Sequence, residues 1–236
     1  MPTLVLLRHG QSQWNLEHRF TGWVDVDLTP QGEAEAQRGG ELIAAAGLEL
    51  DLAFASVLTR AIRTADISLT ACNQLWVPME KDWRLNERHY GGLTGLKHSE
   101  MAAKHGAEQV KIWRRSYDIP PPPLAPGGEY DFSRDRRYAG IEPPAAESLK
   151  STLQRVQPYW DTVIAPALIA GQRLLVAAHG NSLRAIVKLL FDVSDQAIPG
   201  VEIPTGNPLL IELDDALRPV QSRYLDEARA QPLPAA

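Results

Sequence analysis

Thr3-Leu4-Val5-Leu6-Leu7-Arg8-His9-Gly10 opens the chain, and Arg173-Leu174-Leu175-Val176-Ala177-Ala178-His179-Gly180-Asn181-Ser182 repeats its pattern near the other end. In each, a short apolar run reads as a buried strand ending on a histidine, and the glycine lets the backbone turn. Ligands of open α/β sheets bind outside the carboxyl ends of the strands. Two imidazoles delivered there can meet in one pocket, and Arg8 stands beside the first. That arrangement suits phosphoryl chemistry on histidine.

Strand and helix patterns alternate outward from these two units. Residues 4–7 read as a strand. A helix follows with Thr29 as N-cap, Pro30 at its first position and an end near Ala46, where Gly47 stops it. Residues 52–57 read as strand, about 59–71 as helix and 76–79 as a short third strand. A long helix is predicted over roughly 145–170, broken at Pro158 and Pro166. Residues 174–178 are strand, 182–191 are helix on the spacing of Leu183, Ile186, Val187, Leu190 and Phe191, and 209–213 are a last strand before Asp214-Asp215. This alternation predicts a three-layer α/β/α fold with a mostly parallel central sheet covered on both faces.

The interval 86–142 breaks the pattern. It holds two short helix candidates, 99–105 and 107–115, then the run Ile119-Pro120-Pro121-Pro122-Pro123 and a polar, glycine-containing stretch to Tyr138. It reads as an insertion or lid over the site. The expected organisation is one catalytic domain over 1–225, with that insertion, and a mobile polar tail over 226–236.

Length and composition set limits. A chain of 236 residues, 44% apolar and 22% charged, is ordinary for a soluble globular protein. No apolar stretch approaches a membrane span, and with the first strand starting within three residues no signal peptide is expected. One cysteine, Cys72, forbids an internal disulfide and suits a reducing cytoplasm. A net charge of −5 disfavours nucleic acid as partner. Arginines nevertheless gather near the motifs, at Arg8, Arg60, Arg63, Arg84, Arg88, Arg114 and Arg115. Locally clustered guanidinium groups on an acidic protein imply a small anionic ligand.

His9 is the first chemical candidate. A neutral imidazole is a nucleophile near pH 7 and can accept and return a phosphoryl group. Arg8 would supply a forked donor to the transferring oxygens. Arg60 stands at a helix start, where the dipole disfavours cations, so its presence points to a phosphate site more than to a solvated surface residue. Glu87, in Leu85-Asn86-Glu87-Arg88-His89-Tyr90-Gly91-Gly92, has two readings of about equal weight. One is a general acid and base for a substrate hydroxyl; the other is a surface pair with Arg88. Arg114 and Arg115 could grip one polyanion or be solvated. The six histidines offer no zinc spacing, no acidic loop suggests calcium, and there is no Walker loop or dinucleotide fingerprint. The chemistry is therefore expected to need no metal and no nucleotide.

Leu7-Arg8-His9-Gly10-Gln11-Ser12 resembles the Arg-His-Gly signature of the histidine phosphatase superfamily. The wider pattern resembles its cofactor-dependent, 2,3-bisphosphoglycerate-primed phosphoglycerate mutases. The matching segments are Arg19-Phe20-Thr21-Gly22-Trp23, 56–64, 85–91, 108–116, 177–184 and 204–209, which with the first cover nearly the whole chain apart from about 125–145 and the tail. The insertion that carries Glu87 and Trp113-Arg114-Arg115 is the specific part, because simple phosphatases of the superfamily lack it.

The resemblance implies the phosphoglycerate mutase-like fold and interconversion of 2- and 3-phosphoglycerate in glycolysis and gluconeogenesis, primed by 2,3-bisphosphoglycerate. His9 would be the phosphohistidine nucleophile, Glu87 the proton donor and acceptor, and His179, Arg8 and Arg60 the stabilisers of the phosphoryl group. Substrate contacts would come from Gly10, Gln11, Ser12, Gln13, Trp14, Asn15, Thr21, Gly22, Arg88, His89, Tyr90, His98, Arg114, Arg115, Gly180 and Asn181. A cytoplasmic homodimer or homotetramer is implied, without metal, membrane or nucleic acid. A bisphosphoglycerate mutase or phosphatase, or a broader phosphomonoesterase, is the second reading of the same scaffold. Three departures stand out: Gln11 where the family usually has Glu, Lys97-His98 where it usually reads Asn-Lys, and a shorter tail. The family's substrate-binding lysine therefore falls on His98, a weaker anion contact unless Lys97 reaches in.

Overall fold

The computed structural model describes residues 1–233. The first histidine unit forms β1 (Thr3–Arg8), followed by the one-turn α1 (Gln13–Leu16) and by α2 (Pro30–Ala45). Thr29 caps α2 by accepting the Gly32 N–H at 3.1 Å, with Pro30 in the first turn. Next come β2 (Leu52–Ala55), α3 (Thr59–Ala71) and β3 (Met79–Lys81). The insertion supplies α4 (His98–His105) and α5 (Ala107–Arg115). Then follow α6 (Leu149–Tyr159), α7 (Ala165–Ile169), β4 (Arg173–Ala178), α8 (Gly180–Leu190), β5 (Leu209–Leu213) and β6 (Pro219–Tyr224).

The strands form one sheet in the order β3-β2-β4-β1-β5-β6. β1, β2, β3 and β4 run parallel, whereas β5 is antiparallel to both β1 and β6. Side chains of a strand alternate between faces. Val5 and Leu7 accordingly pack with Ile43, Leu69 and Leu175 on one side of the sheet. Leu4 and Leu6 pack with Val156, Leu183, Ile186 and Val187 on the other. Burial on both faces explains why β1 and β4 read as continuous apolar runs.

Three expectations are corrected by the packing. The third strand lies at Met79–Lys81 rather than 76–79, because pairing with β2 sets its register and leaves Trp76 75% exposed. The long helix begins at Leu149, where Ser148 accepts the Ser151 N–H as its cap, and not near 145. The expected breaks fall beside their prolines: α6 ends at Tyr159, one residue after Pro158, a π-helical turn spans Trp160–Ile164, and Pro166 sits in the first turn of α7. The edge strand β6 was not expected at all. Only Tyr224 of its six residues is buried, three are exposed, and Pro219 sits at its first position, where no ladder donor is needed.

The expected tail is tied down over part of its length. Asn207 donates to the Asp226 carbonyl and accepts its N–H, both at 3.0 Å, and Arg229 donates to the Thr205 carbonyl at 2.6 Å. The end of that stretch, 234–236, lies outside the described residues. The insertion has its own small core of Leu93, Met101 and Val110 closed by Phe20, which joins it to the loop after β1.

Candidate active site

Parallel register brings the two histidines together. Arg8 pairs with Ala178 at the last rung of β1 and β4, and the His9 N–H donates to the Ala178 carbonyl at 3.0 Å. The next residue on each strand is a histidine, and their ring centroids lie 4.9 Å apart at 59°. β2 pairs with β4 so that Ala55 meets Ala177, which places Ser56 within reach of His179. Ser56 Oγ and His179 Nε2 share a hydrogen bond of 2.7 Å.

His9 Nδ1 lies 2.7 Å from the Gly10 carbonyl oxygen. A carbonyl only accepts, so this bond fixes the proton on Nδ1 and leaves the Nε2 lone pair free. Burial holds the His9 pKa well below 6.5, and the Arg60 and Arg8 charges add to the effect, so the ring is neutral at pH 7. Burial, again with Arg60, does the same to His179. The tight turn requires glycine at residue 10: a Cβ there would lie 2.0 Å from the Gly32 carbonyl of α2.

The cleft beside His9 holds about 490 Å³ of empty space and is lined by Arg8, Asn15, Arg19, Phe20, Thr21, Arg60, Glu87, Tyr90, His98 and Arg114. A second arm continues from Arg8, Glu87, Tyr90 and Arg114 to Arg115, Gly180, Asn181, Arg184 and Glu202. Guanidinium groups therefore surround the nucleophile candidate. Arg60 is wholly buried, donates to the Val24 and Gly22 carbonyls at 2.8 Å each, and is pulled down to a pKa of about 10 by that burial. The buried nitrogens Arg8 Nε, Arg60 Nε, Arg88 Nε, Arg88 Nη1 and His179 Nδ1 have no hydrogen-bond partner among the described residues. Buried polar atoms normally do, so such a cluster is a cradle for an anion with several acceptors.

Glu87 faces this cluster with its two oxygens in different settings. Oε1 accepts the Arg88 N–H at 2.7 Å, the Asn181 side-chain amide at 2.7 Å and the Asn181 N–H at 3.2 Å. Among the described residues no hydrogen bond engages Oε2. The backbone here is clamped from behind by a buried ion pair, Arg155 to Glu147 at 2.7 Å. Arg155 also donates to the carbonyls of Arg84, Asn86 and Glu87 at 2.6, 2.9 and 2.9 Å, and Glu147 accepts the His89 N–H at 2.8 Å.

A profile of the histidine phosphatase superfamily (branch 1) matches residues 4–223. The chain belongs to that superfamily. It is 73% identical over 235 residues to the 2,3-bisphosphoglycerate-dependent phosphoglycerate mutase of Caulobacter sp. (strain K31), covering 100% of this chain and 99% of the relative. To the protein of the same name from Zymomonas mobilis it is 62% identical, covering 96% of this chain and 100% of the relative. A solved mycobacterial glucosyl-3-phosphoglycerate phosphatase superposes with a TM-score of 0.71 over 95% of this chain and 97% of its own, at 20% identity, and so shares the fold.

Within this histidine phosphatase cleft, not every residue expected at the site faces it. Gln11 turns its side chain to Thr29, whose hydroxyl donates to it at 2.9 Å, and Gln13 bonds Glu17 at the surface. Ser12 caps α1 by accepting the Asn15 N–H, and Trp14 packs edge-on against Tyr130. Gly22 contributes its carbonyl to Arg60. Arg88 is buried, with its Nη2 donating to the Arg114 carbonyl at 2.6 Å. His89 points the other way: its Nδ1 accepts the Gly91 N–H, and it packs against Trp23 and Phe132 beside a separate cavity under the insertion.

The Lys97-His98 pair resolves clearly. His98 lines the cleft, whereas Lys97 is exposed and lies near Glu17. Burial lowers the His98 pKa to about 4, with Arg114 and His18 contributing, so His98 is neutral at pH 7. Arg19, Arg184 and Glu202 line the cleft without having been expected there. Arg184 had a usable signal: it stands one helical turn after Asn181, to whose Oδ1 its Nη1 donates at 3.0 Å. Among the described residues, no group of His, Cys, Asp or Glu could hold a metal ion, and no helix is long and apolar enough to cross a membrane.

Proposed function

We propose that this chain interconverts 2- and 3-phosphoglycerate through a phosphohistidine at His9, primed by 2,3-bisphosphoglycerate. The observation that carries the reading is the in-register pair of neutral histidines facing Glu87 across a cleft of arginines with unpartnered buried donors. The near-full-length likeness to proteins named phosphoglycerate mutases supports it. The orphaned donors of Arg8 and Arg60, with the Arg114 and Arg115 guanidinium groups that line the cleft, suit a ligand with two phosphate groups and a carboxylate. Arg8, Arg60, Asn15, Thr21, Tyr90, His98, Arg114, Arg115, Gly180 and Asn181 would hold it. When bound, 2,3-bisphosphoglycerate supplies the phosphoryl group that charges the enzyme.

His9 Nε2 carries the phosphoryl group in line with the substrate oxygen. Its N–P bond breaks as an O–P bond forms at the substrate hydroxyl, and Glu87 Oε2 takes the hydroxyl proton. The reverse half-reaction protonates the departing oxygen from Glu87 and returns the other phosphoryl group to His9. Negative charge spreads over the phosphoryl oxygens in transit, where Arg8, Arg60 and His179 stabilise it. This activity belongs to glycolysis and gluconeogenesis, and the resemblance to the family supports a cytoplasmic homodimer or homotetramer.

A steady-state assay tests the reading directly. With 2,3-bisphosphoglycerate present, conversion of 3- to 2-phosphoglycerate is expected to exceed phosphate release from either compound by orders of magnitude. Release faster than isomerisation would mark a phosphatase instead.

His98→Lys is expected to lower KM for 3-phosphoglycerate about fivefold with kcat little changed, since an ammonium replaces a neutral ring in a partly buried, anion-binding wall. An unchanged or higher KM would mean that no anionic group of the substrate rests there.

A further inference from the structure

The second arm of the cleft holds one carboxylate that catalysis does not use. Arg115, at the end of α5, and Glu202, in the loop before β5, meet at 2.5 Å between Nη2 and Oε1. Arg8, Arg114 and Arg184 line the same arm. The backbone under Glu202 is fastened on both sides. Tyr224 Oη donates to the Glu202 carbonyl at 3.2 Å, and Arg184 Nε donates to the preceding carbonyl of Val201 at 2.9 Å. The carboxylate itself is partly open to solvent, with 43% of the side chain exposed against 31% for Arg115.

Two features separate Glu202 from Glu87. Among the described residues no backbone or amide donor holds its carboxylate, and its partner is a guanidinium that a phosphate would also choose. The charges around it are unbalanced. Burial pulls the Arg114 guanidinium below its ordinary range and Arg115 adds to that, while Glu202 opposes it.

We propose that Glu202 is a resident counter-anion: it occupies Arg115 in the free enzyme and yields that arginine when an anionic group of the substrate enters. The proposal rests on the cleft being a phosphoglycerate site. An incoming phosphate or carboxylate must displace Glu202 from Arg115 and lie beside a like charge. Both effects weaken binding and speed release. If Glu202 merely oriented Arg115, its removal would have the opposite sign.

The experiment is calorimetric binding of 3-phosphoglycerate to the unprimed protein, in wild type, Glu202→Gln and Arg115→Gln. Glu202→Gln keeps the shape and removes the charge, and is expected to bind about fivefold more tightly, with KM falling in step. A dissociation constant that is unchanged or larger in Glu202→Gln overturns the proposal. Arg115→Gln keeps the two readings apart. If it weakens binding while Glu202→Gln does not strengthen it, only the counter-anion role fails. If it leaves binding unchanged, the assignment of this arm to the substrate fails as well. Equal melting temperatures of wild type and Glu202→Gln would confirm that the fold is intact.

Discussion

His9→Asn is expected to take up no phosphoryl group from labelled 2,3-bisphosphoglycerate and to lose mutase turnover by at least on the order of 10⁴-fold, the scale of losing a nucleophile. Asparagine keeps what the fold needs. Its side-chain amide can still donate to the Gly10 carbonyl that His9 Nδ1 contacts at 2.7 Å, while the atom corresponding to Nε2 is gone. Wild type should carry about one acid-labile, base-stable phosphoryl group per chain, as phosphohistidine does. Label retained in the variant would move the nucleophile elsewhere, with His179 the nearest imidazole. The pH dependence has a defined sign. Burial and the Arg60 and Arg8 charges lower the His9 pKa, so the reactive neutral form persists below pH 6.5. Charging of the free enzyme should therefore not fall off through pH 6.5; a midpoint there would contradict the environment described for the ring.

Glu87→Gln carries the second large effect. Glutamine can still accept the Arg88 and Asn181 donors through its amide oxygen, so the loop and the arginines stay in place. What it lacks is a group that can take up and release a proton at the Oε2 position. The expected result is a kcat lower by about 10²- to 10⁴-fold, the usual range for general acid–base catalysis, with KM changed only a few-fold. The final extent of His9 labelling should match wild type, although it is reached more slowly, because the departing hydroxyl also needs that proton. A kcat within tenfold of wild type would remove Glu87 from the chemistry and return it to the surface-pair reading.

The parts of this molecule legible in its sequence are those whose environment is uniform. β1 and β4 lie between two helical layers, so apolar runs identify them, and their register carries His9 and His179 to the same height. β6 has one bonded neighbour and a solvated face, so no comparable pattern marks it. The position of β3 is decided by its pairing with β2, a tertiary contact that spacing along the chain does not encode. The same division holds in the cleft. Arg60 could be singled out because it violates a helix-end preference. Its local partners turned out to be the Val24 and Gly22 carbonyls, and Asp25 supplies the missing cap by accepting the Thr59 N–H at 2.7 Å. The directions of Glu87, Arg88, His89 and Tyr90 follow from what grips each of them. Sequence proximity placed His89 with the others, whereas its packing on Trp23 and Phe132 turns it away. Glu202 was missed because nothing in Val201-Glu202-Ile203-Pro204 signals that the insertion will bring Arg115 against it.

The grip of Arg155 on the carbonyls of Arg84, Asn86 and Glu87 has a consequence for conformational entropy. A catalytic carboxylate on a free loop would have to be ordered anew in each turnover, at about 1–2 kcal/mol per residue fixed. Here the ordering is completed as the chain folds, because the carbonyls of that loop are bonded to a guanidinium that is itself paired with Glu147 in the interior. The Trp23 indole adds a fourth tie, donating to the Glu87 carbonyl at 2.7 Å. Under the proposed reading, the substrate would therefore meet a carboxylate whose backbone is already fixed.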